Sequence, residues 1–114
     1  MELEIPDLDV DGWTVVAASG EIDVATAPAL RDRLTELVED GTTRLVIDLE
    51  DVDFIDSTGL GVLVGGLRRA GSVGGDLRLV CTNPRILKVF EATGLHDVFT
   101  IEATVDDAVA DRAE

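Results

Sequence analysis

The chain is poor in the residues that carry most protein chemistry. Its 114 residues include one cysteine, one histidine and one tryptophan, and no tyrosine. A lone cysteine, Cys81, cannot close an internal disulfide, and its strand context reads as that of an inert buried thiol. With one histidine and one cysteine, any metal site would have to be built from carboxylates. Asp48, Glu50, Asp51, Asp53 and Asp56 are numerous enough, but they lack the spacing and central glycine of a calcium-binding loop. Basic residues are also scarce: nine lysines and arginines stand against 24 acids, a net charge of −15. That balance argues against nucleic acid and against anionic lipid as partners. It favours solubility and rapid encounter with a basic protein surface. No apolar run is long enough to span a bilayer, and no basic segment precedes a short hydrophobic one. The expectation is one untargeted, cytoplasmic domain over residues 1–114.

Enzyme signatures are missing in the same way. A serine nucleophile needs a base, and His96 sits apart in the turn Gly94-Leu95-His96-Asp97. Ser57 has Ile55 and Gly59 where a nucleophile elbow requires two glycines. The glycine-rich run from Gly71 to Gly75 follows a helical pattern rather than a strand, so it is no phosphate loop. We therefore expect no catalytic residue, no metal and no cofactor. A receiver domain phosphorylated on aspartate is the nearest rival, since Val46-Ile47-Asp48-Leu49 imitates its acceptor strand. It also needs an acidic pair after its first strand and a lysine after its last. The only lysine, Lys88, lies inside a helical pattern, and the acids of residues 7–11 come before Trp13.

What is present is an alternation of strand and helix patterns. Leu3-Glu4-Ile5 and Trp13 to Ala18 read as strands, with Asp11-Gly12 as a hairpin turn between them. Gly20 is expected to end the second strand. A helix follows with Pro28 in its first turn, an apolar stripe of Leu30, Leu34, Leu37 and Val38, and a stop at Gly41. Arg44 to Ile47 is a buried strand by its continuous apolar run. Leu60, Leu63, Val64 and Leu67 then mark one helix face, ending near Ala70. Leu77, Leu79 and Cys81 alternate with Arg78, Val80 and Thr82 as a further strand. Asn83-Pro84 opens a third helix that Gly94 closes, Val98 to Ile101 is a short strand, and Thr104 caps a terminal helix through Ala110. Gly65-Gly66 inside the second helix points to close packing against a neighbour, since each glycine costs about 1 kcal/mol there. The order implies an α/β layer with right-handed crossovers.

The chain is organised around the link between the central strand and its helix. Ser57 and Thr58 lie among carboxylates where a helix cap belongs, and Ser57 is the expected cap. Behind it the amides of Gly59 and Leu60 are expected to point outward without carbonyl partners. An exposed hydroxyl on a positive helix end is the result.

The segment Asp53-Phe54-Ile55-Asp56-Ser57-Thr58-Gly59-Leu60-Gly61-Val62-Leu63 closely resembles the signature of the STAS domain family in its free-standing anti-sigma factor antagonist form. The resemblance extends to Gly20-Glu21-Ile22-Asp23, to Thr26-Ala27-Pro28-Ala29-Leu30 and to Val89-Phe90-Glu91-Ala92-Thr93-Gly94-Leu95, in the right order over essentially the whole chain. It implies a mixed sheet of about five strands with helices chiefly on one face. It also implies phosphorylation of Ser57 by a partner that is both anti-sigma factor and serine kinase, reversal by a serine phosphatase, and release of a sigma factor by the unphosphorylated form. The Asp23 loop is then expected beside Ser57, so that Asp23, Asp56, Ser57, Thr58, Gly59 and Leu60 form the partner-binding face. Thr58 offers a second hydroxyl one residue on. A non-phosphorylated scaffold of the same family is the alternative.

Overall fold

Side chains of the central strands alternate between two cores. In the computed structural model, which describes residues 3–110, the strands are β1 (Leu3–Glu4), β2 (Asp7–Val10), β3 (Trp13–Ile22), β4 (Arg44–Ile55), β5 (Asp76–Val80) and β6 (Ile101–Glu102). The helices are α1 (Ala27–Glu39), α2 (Ser57–Ser72), α3 (Pro84–Thr93) and α4 (Val105–Val109), with a 3-10 turn over Leu95–Asp97. Residues 1–2 and 111–114 of the expected domain lie outside the described residues. Val16, Leu45, Ile47 and Leu79 join Leu30 and Leu34 of α1, Leu60 and Leu63 of α2, and Phe90 of α3 in one core. Val15, Val46 and Val80 point the other way, onto Trp13 and onto Ala108 and Val109 of α4. A period of two therefore gives each strand two buried faces. Three helices cover one face and the short α4 the other.

The sheet runs β1-β3-β4-β5-β6, with β2 also paired to β3. β3 to β6 are mutually parallel, while β1 and β2 run antiparallel to β3. There are six strands rather than about five, because Ile5 and Pro6 interrupt one edge. Both pieces lie along β3, Leu3 opposite Gly20 and Asp7 opposite Val16, and Ala17 N–H donates to the Pro6 carbonyl across the break. The Asp11-Gly12 turn forms as read, both residues having positive φ, 53° and 88°.

Two strands exceed their sequence boundaries. β3 continues through Gly20, whose φ is 117°, to Ile22. β4 continues eight residues past Ile47 because two bulges let it carry acids without exposing its core. Ala17 and Ser19 on β3 face Asp48 and Asp51 on β4, and Gly20 and Glu21 face Val52 and Phe54. Each step gives β4 one extra residue, so Leu49, Val52 and Ile55 all return to the helix-side core. At the far side, the expected Val98 to Ile101 strand is mostly the residues after the 3-10 turn, and pairing begins only at Ile101.

The buried stripe of α2 is Gly59, Leu60, Leu63, Gly66 and Ala70. Val64 and Leu67, expected as core, are half-buried beside it. A Cβ on Gly66 would lie 3.0 Å from Leu34 Cδ1 and 3.1 Å from Leu77 Cδ1, so this glycine lets α2 sit against α1 and the sheet. Gly65 has open space around it and makes no such contact.

Candidate functional site

Asp56, not Ser57, caps α2. Its backbone is extended (φ −109°, ψ −174°), and its carboxylate Oδ1 accepts the Gly59 amide at 3.0 Å. Its carbonyl accepts the Leu60 amide at 2.9 Å. The two amides expected to be free are therefore both satisfied. The open donors are the preceding ones, Ser57 and Thr58, which as the first two residues of the helix have no intrahelical acceptor. Asp-Ser-Thr presents three capping residues in a row, and the first takes the position. Ser57 moves one place into the helix, and both its side chain and that of Thr58 are exposed.

Gly59 and Leu60 form the base of this turn rather than its surface. Leu60 is 6% exposed. A Cβ on Gly59 would fall 2.6 Å from Ile22 Cγ2, 2.8 Å from Ile55 Cγ1 and 3.0 Å from the Ile22 carbonyl oxygen. Only glycine allows the first turn of α2 to press on the ends of β3 and β4. Asp56 N–H then donates to that same Ile22 carbonyl at 3.1 Å. The loop after β3 is thereby placed against the start of α2.

That loop is tied to itself. Asp23 Oδ1 accepts the Ala25 amide at 2.9 Å and the Thr26 amide at 3.0 Å. Thr26, 8% exposed, donates its hydroxyl to the Glu21 carbonyl at 2.7 Å and accepts the Asp23 amide at 2.9 Å. The Thr26 amide, foremost among these donors, holds the Asp23 carboxyl below its ordinary range against a smaller opposing effect of burial. Asp23 thus builds the loop, and what the loop presents is Val24, 70% exposed.

A second apolar side chain lies at this end of the sheet. Phe54 is 48% exposed on the face opposite Ile55, next to Glu21 of β3. Sequence reasoning passed over both residues. Val24 sits between two turn formers, and Phe54 lies in an acid-rich run that reads as strand. Their signal was composition: isolated apolar residues in polar segments at the end of the strand carrying Ser57. Asp51 and Asp53 are exposed around them, and Glu50 reaches across to the Thr82 amide and hydroxyl. Among the described residues no cluster of His, Cys, Asp or Glu is arranged to hold a metal ion. No helix there is long and apolar enough to cross a membrane. His96 Nδ1 is 3.4 Å from the Phe90 carbonyl of α3 and Nε2 3.5 Å from the neighbouring Asp97.

Residues 4–108 match the family model of the STAS domain. The chain belongs to the STAS domain family. Its relatives within that family include an anti-sigma-B factor antagonist of Bacillus subtilis, 44% identical over 82% of this chain and 85% of the relative. The crystal structure of an anti-sigma factor antagonist from Mycobacterium paratuberculosis superposes with a TM-score of 0.87 at 36% identity, covering 95% of this chain and 92% of that one. The Bacillus cell fate determinant SpoIIAA, solved in its phosphorylated form, superposes with a TM-score of 0.73 at 25% identity over 95% of this chain and 96% of its own. The STAS fold here places the Asp23 loop and the Ser57 turn side by side at one end of the sheet.

Proposed function

We propose that this STAS domain is an anti-sigma factor antagonist whose binding face is the start of α2 with the Asp23 loop, switched by phosphorylation of Ser57. The observation that carries the reading is the exposed Ser57 hydroxyl on the first turn of α2, held by a cap that does not depend on it. Relatives named as antagonists support it, as does the Bacillus cell fate determinant SpoIIAA, of like fold and solved in a phosphorylated form. The unphosphorylated form would bind an anti-sigma factor that is also a serine kinase, and so release a sigma factor. A serine phosphatase would restore it. The domain itself supplies no catalytic group.

A phosphate on Ser57 adds roughly −1.5 to −2 charge beside Asp56 without removing the Asp56 cap. The open Ser57 and Thr58 amides and the helix dipole favour it locally, so the fold persists. This end of the molecule is already acidic, so extra charge would strengthen long-range attraction to a basic partner. The switch therefore acts at contact range. A partner carbonyl or carboxylate docked against the hydroxyl meets a larger, charged group instead. A like-charge pair at ~4 Å costs about 4 kcal/mol at an effective dielectric near 20. A hundredfold loss of affinity needs only about 2.7 kcal/mol. Val24 and Phe54 are the apolar anchors such a partner would cover.

Affinity capture from the native cell tests this, with wild type, Ser57→Ala and Ser57→Asp as baits and phosphosite mass spectrometry of the wild type. The expected result is a kinase-like protein retained by wild type and Ser57→Ala but lost from Ser57→Asp, with phosphate on Ser57. Phosphate on Thr58, or equal retention by all three baits, would overturn the reading.

A further inference from the structure

The opposite end of the sheet carries a site of the opposite sign. Trp13, Arg44, Asp76 and Arg78 stand at the beginnings of β3, β4 and β5, whereas Ser57 follows the end of β4. Arg78 Cζ lies 4.4 Å from the Trp13 ring centroid and Arg44 Cζ 5.6 Å from it. These side chains, with Gly74 and Gly75, line a surface pocket of about 170 Å³.

The two arginines are used differently. Arg78 has a complete structural role: Nε donates to Asp76 Oδ2 at 3.2 Å, and NH1 donates to the Ala108 carbonyl at 2.9 Å and to the Ala110 carbonyl at 3.4 Å. It stacks on the indole and holds the end of α4. Arg44 is exposed and shares the Trp13 ring at the longer distance, but makes none of these hydrogen bonds. Its register neighbour is Asp76, but that carboxylate is occupied, Oδ1 by the Leu77 amide and Oδ2 by Arg78. Arg44 has no acceptor among the described residues, and the Trp13 indole N–H has none either and keeps access to solvent while most of the ring is covered. Two guanidinium groups on one ring repel each other, and one carboxylate offsets one of them.

We propose that this pocket binds a small tetrahedral oxyanion of the phosphate class, with Arg44 as its principal donor. The pocket volume holds one such ion with its waters and is too small for a nucleotide. A guanidinium with its full donor fork open suits a phosphate oxygen pair. Asp9, which lines a neighbouring pocket with Arg44, accepts the Thr14 hydroxyl at 3.1 Å, and the acids around Ser57 lie at the far end. The 12 residues of β4 separate the two ends in a molecule 35 Å long. That is several Debye lengths of about 8 Å at physiological ionic strength. The site is independent of Ser57 and of the proposed partner switch.

Trp13 is the single tryptophan of a chain without tyrosine, so its emission and its one indole N–H resonance both report on this pocket. Inorganic phosphate, above its second pKa, is titrated against sodium chloride and sodium acetate at matched ionic strength. The variants are wild type, Arg44→Gln and, as a control on α3, Arg85→Gln. The expected result is a saturable shift of the indole resonance or emission with phosphate in wild type and Arg85→Gln, about tenfold weaker in Arg44→Gln. No saturable change in either readout would overturn the proposal. So would the same response in Arg44→Gln, or saturation by acetate alone.

Discussion

The Asp56 amide donates to the Ile22 carbonyl at 3.1 Å, and this bond ties the serine-bearing helix to the Asp23 loop. The donor is the residue that also caps α2, and the acceptor is the last residue of β3. One backbone bond and one glycine contact therefore fix the two halves of the proposed binding face relative to each other.

The cap and the switch are separable by substitution. Asp56→Ala removes the acceptor of the Gly59 amide and is expected to cost about 1 kcal/mol in denaturant melts. Ser57→Ala changes an exposed side chain that caps nothing, and its midpoint should stay within about 0.5 kcal/mol of wild type. A larger loss at Ser57 than at Asp56 would return the cap to Ser57.

Two glycines of α2 should respond with opposite sign to alanine. Gly65→Ala places a methyl in open space and should stabilise by about 1 kcal/mol through helix propensity. Gly59→Ala drives a methyl onto Ile22 backbone and side chain and should destabilise by about 1–3 kcal/mol. Thermal melts of the two variants, measured side by side, check the pair.

Asp23 should contribute to the acid limb of stability. Its folded pKa lies below the ordinary value of 3.8, so its contribution is fully present above 3.8 and is lost as pH falls through the lower folded value. Asp23→Asn cannot titrate, and its stability should fall less steeply with acid over that window. Parallel slopes for both proteins in pH-dependent urea melts would count against the Asp23–Thr26 bond as the cause.

Cys81 should be silent in the native state. Burial first, then the nearby Glu50 and Asp48 carboxylates, push its thiol above the ordinary 9.0, although its contact with Asn83 opposes them. The thiol form is favoured below 9.0, and folding opposes thiolate formation as pH rises beyond it. An aromatic disulfide reagent at neutral pH should label the unfolded chain in urea quickly and the native chain only as fast as it opens.

The layering of the fold was legible because Leu45, Ile47, Leu60 and Leu63 obey simple periods, and all four are buried. The length of β4 was not, because its two bulges insert residues that break alternation, and a bulge has no residue signature of its own. The cap was misread by one position because Asp56, Ser57 and Thr58 are all competent cappers. What goes with the Asp56 cap is a meeting of residues far apart in sequence, Gly59 against Ile22 and the Asp56 amide on the Ile22 carbonyl. Val64 and Leu67 were read as core for a related reason: helical period gives a face, but Gly66 turns that face toward Leu34. Arg44 and Arg78 gave no sign in sequence of sharing Trp13, since only strand register brings them together.

The margins of the sheet bear on how the protein behaves when crowded. On one side Ile5 and Pro6 split the outer ladder into runs of two and four residues. On the other, β6 offers two. A foreign strand needs an uninterrupted row of amides and carbonyls to add to, and neither side presents a long one. Abundant synthesis of such a chain is thus compatible with molecules that do not join edge to edge, each keeping the acidic face around Ser57 available for encounter.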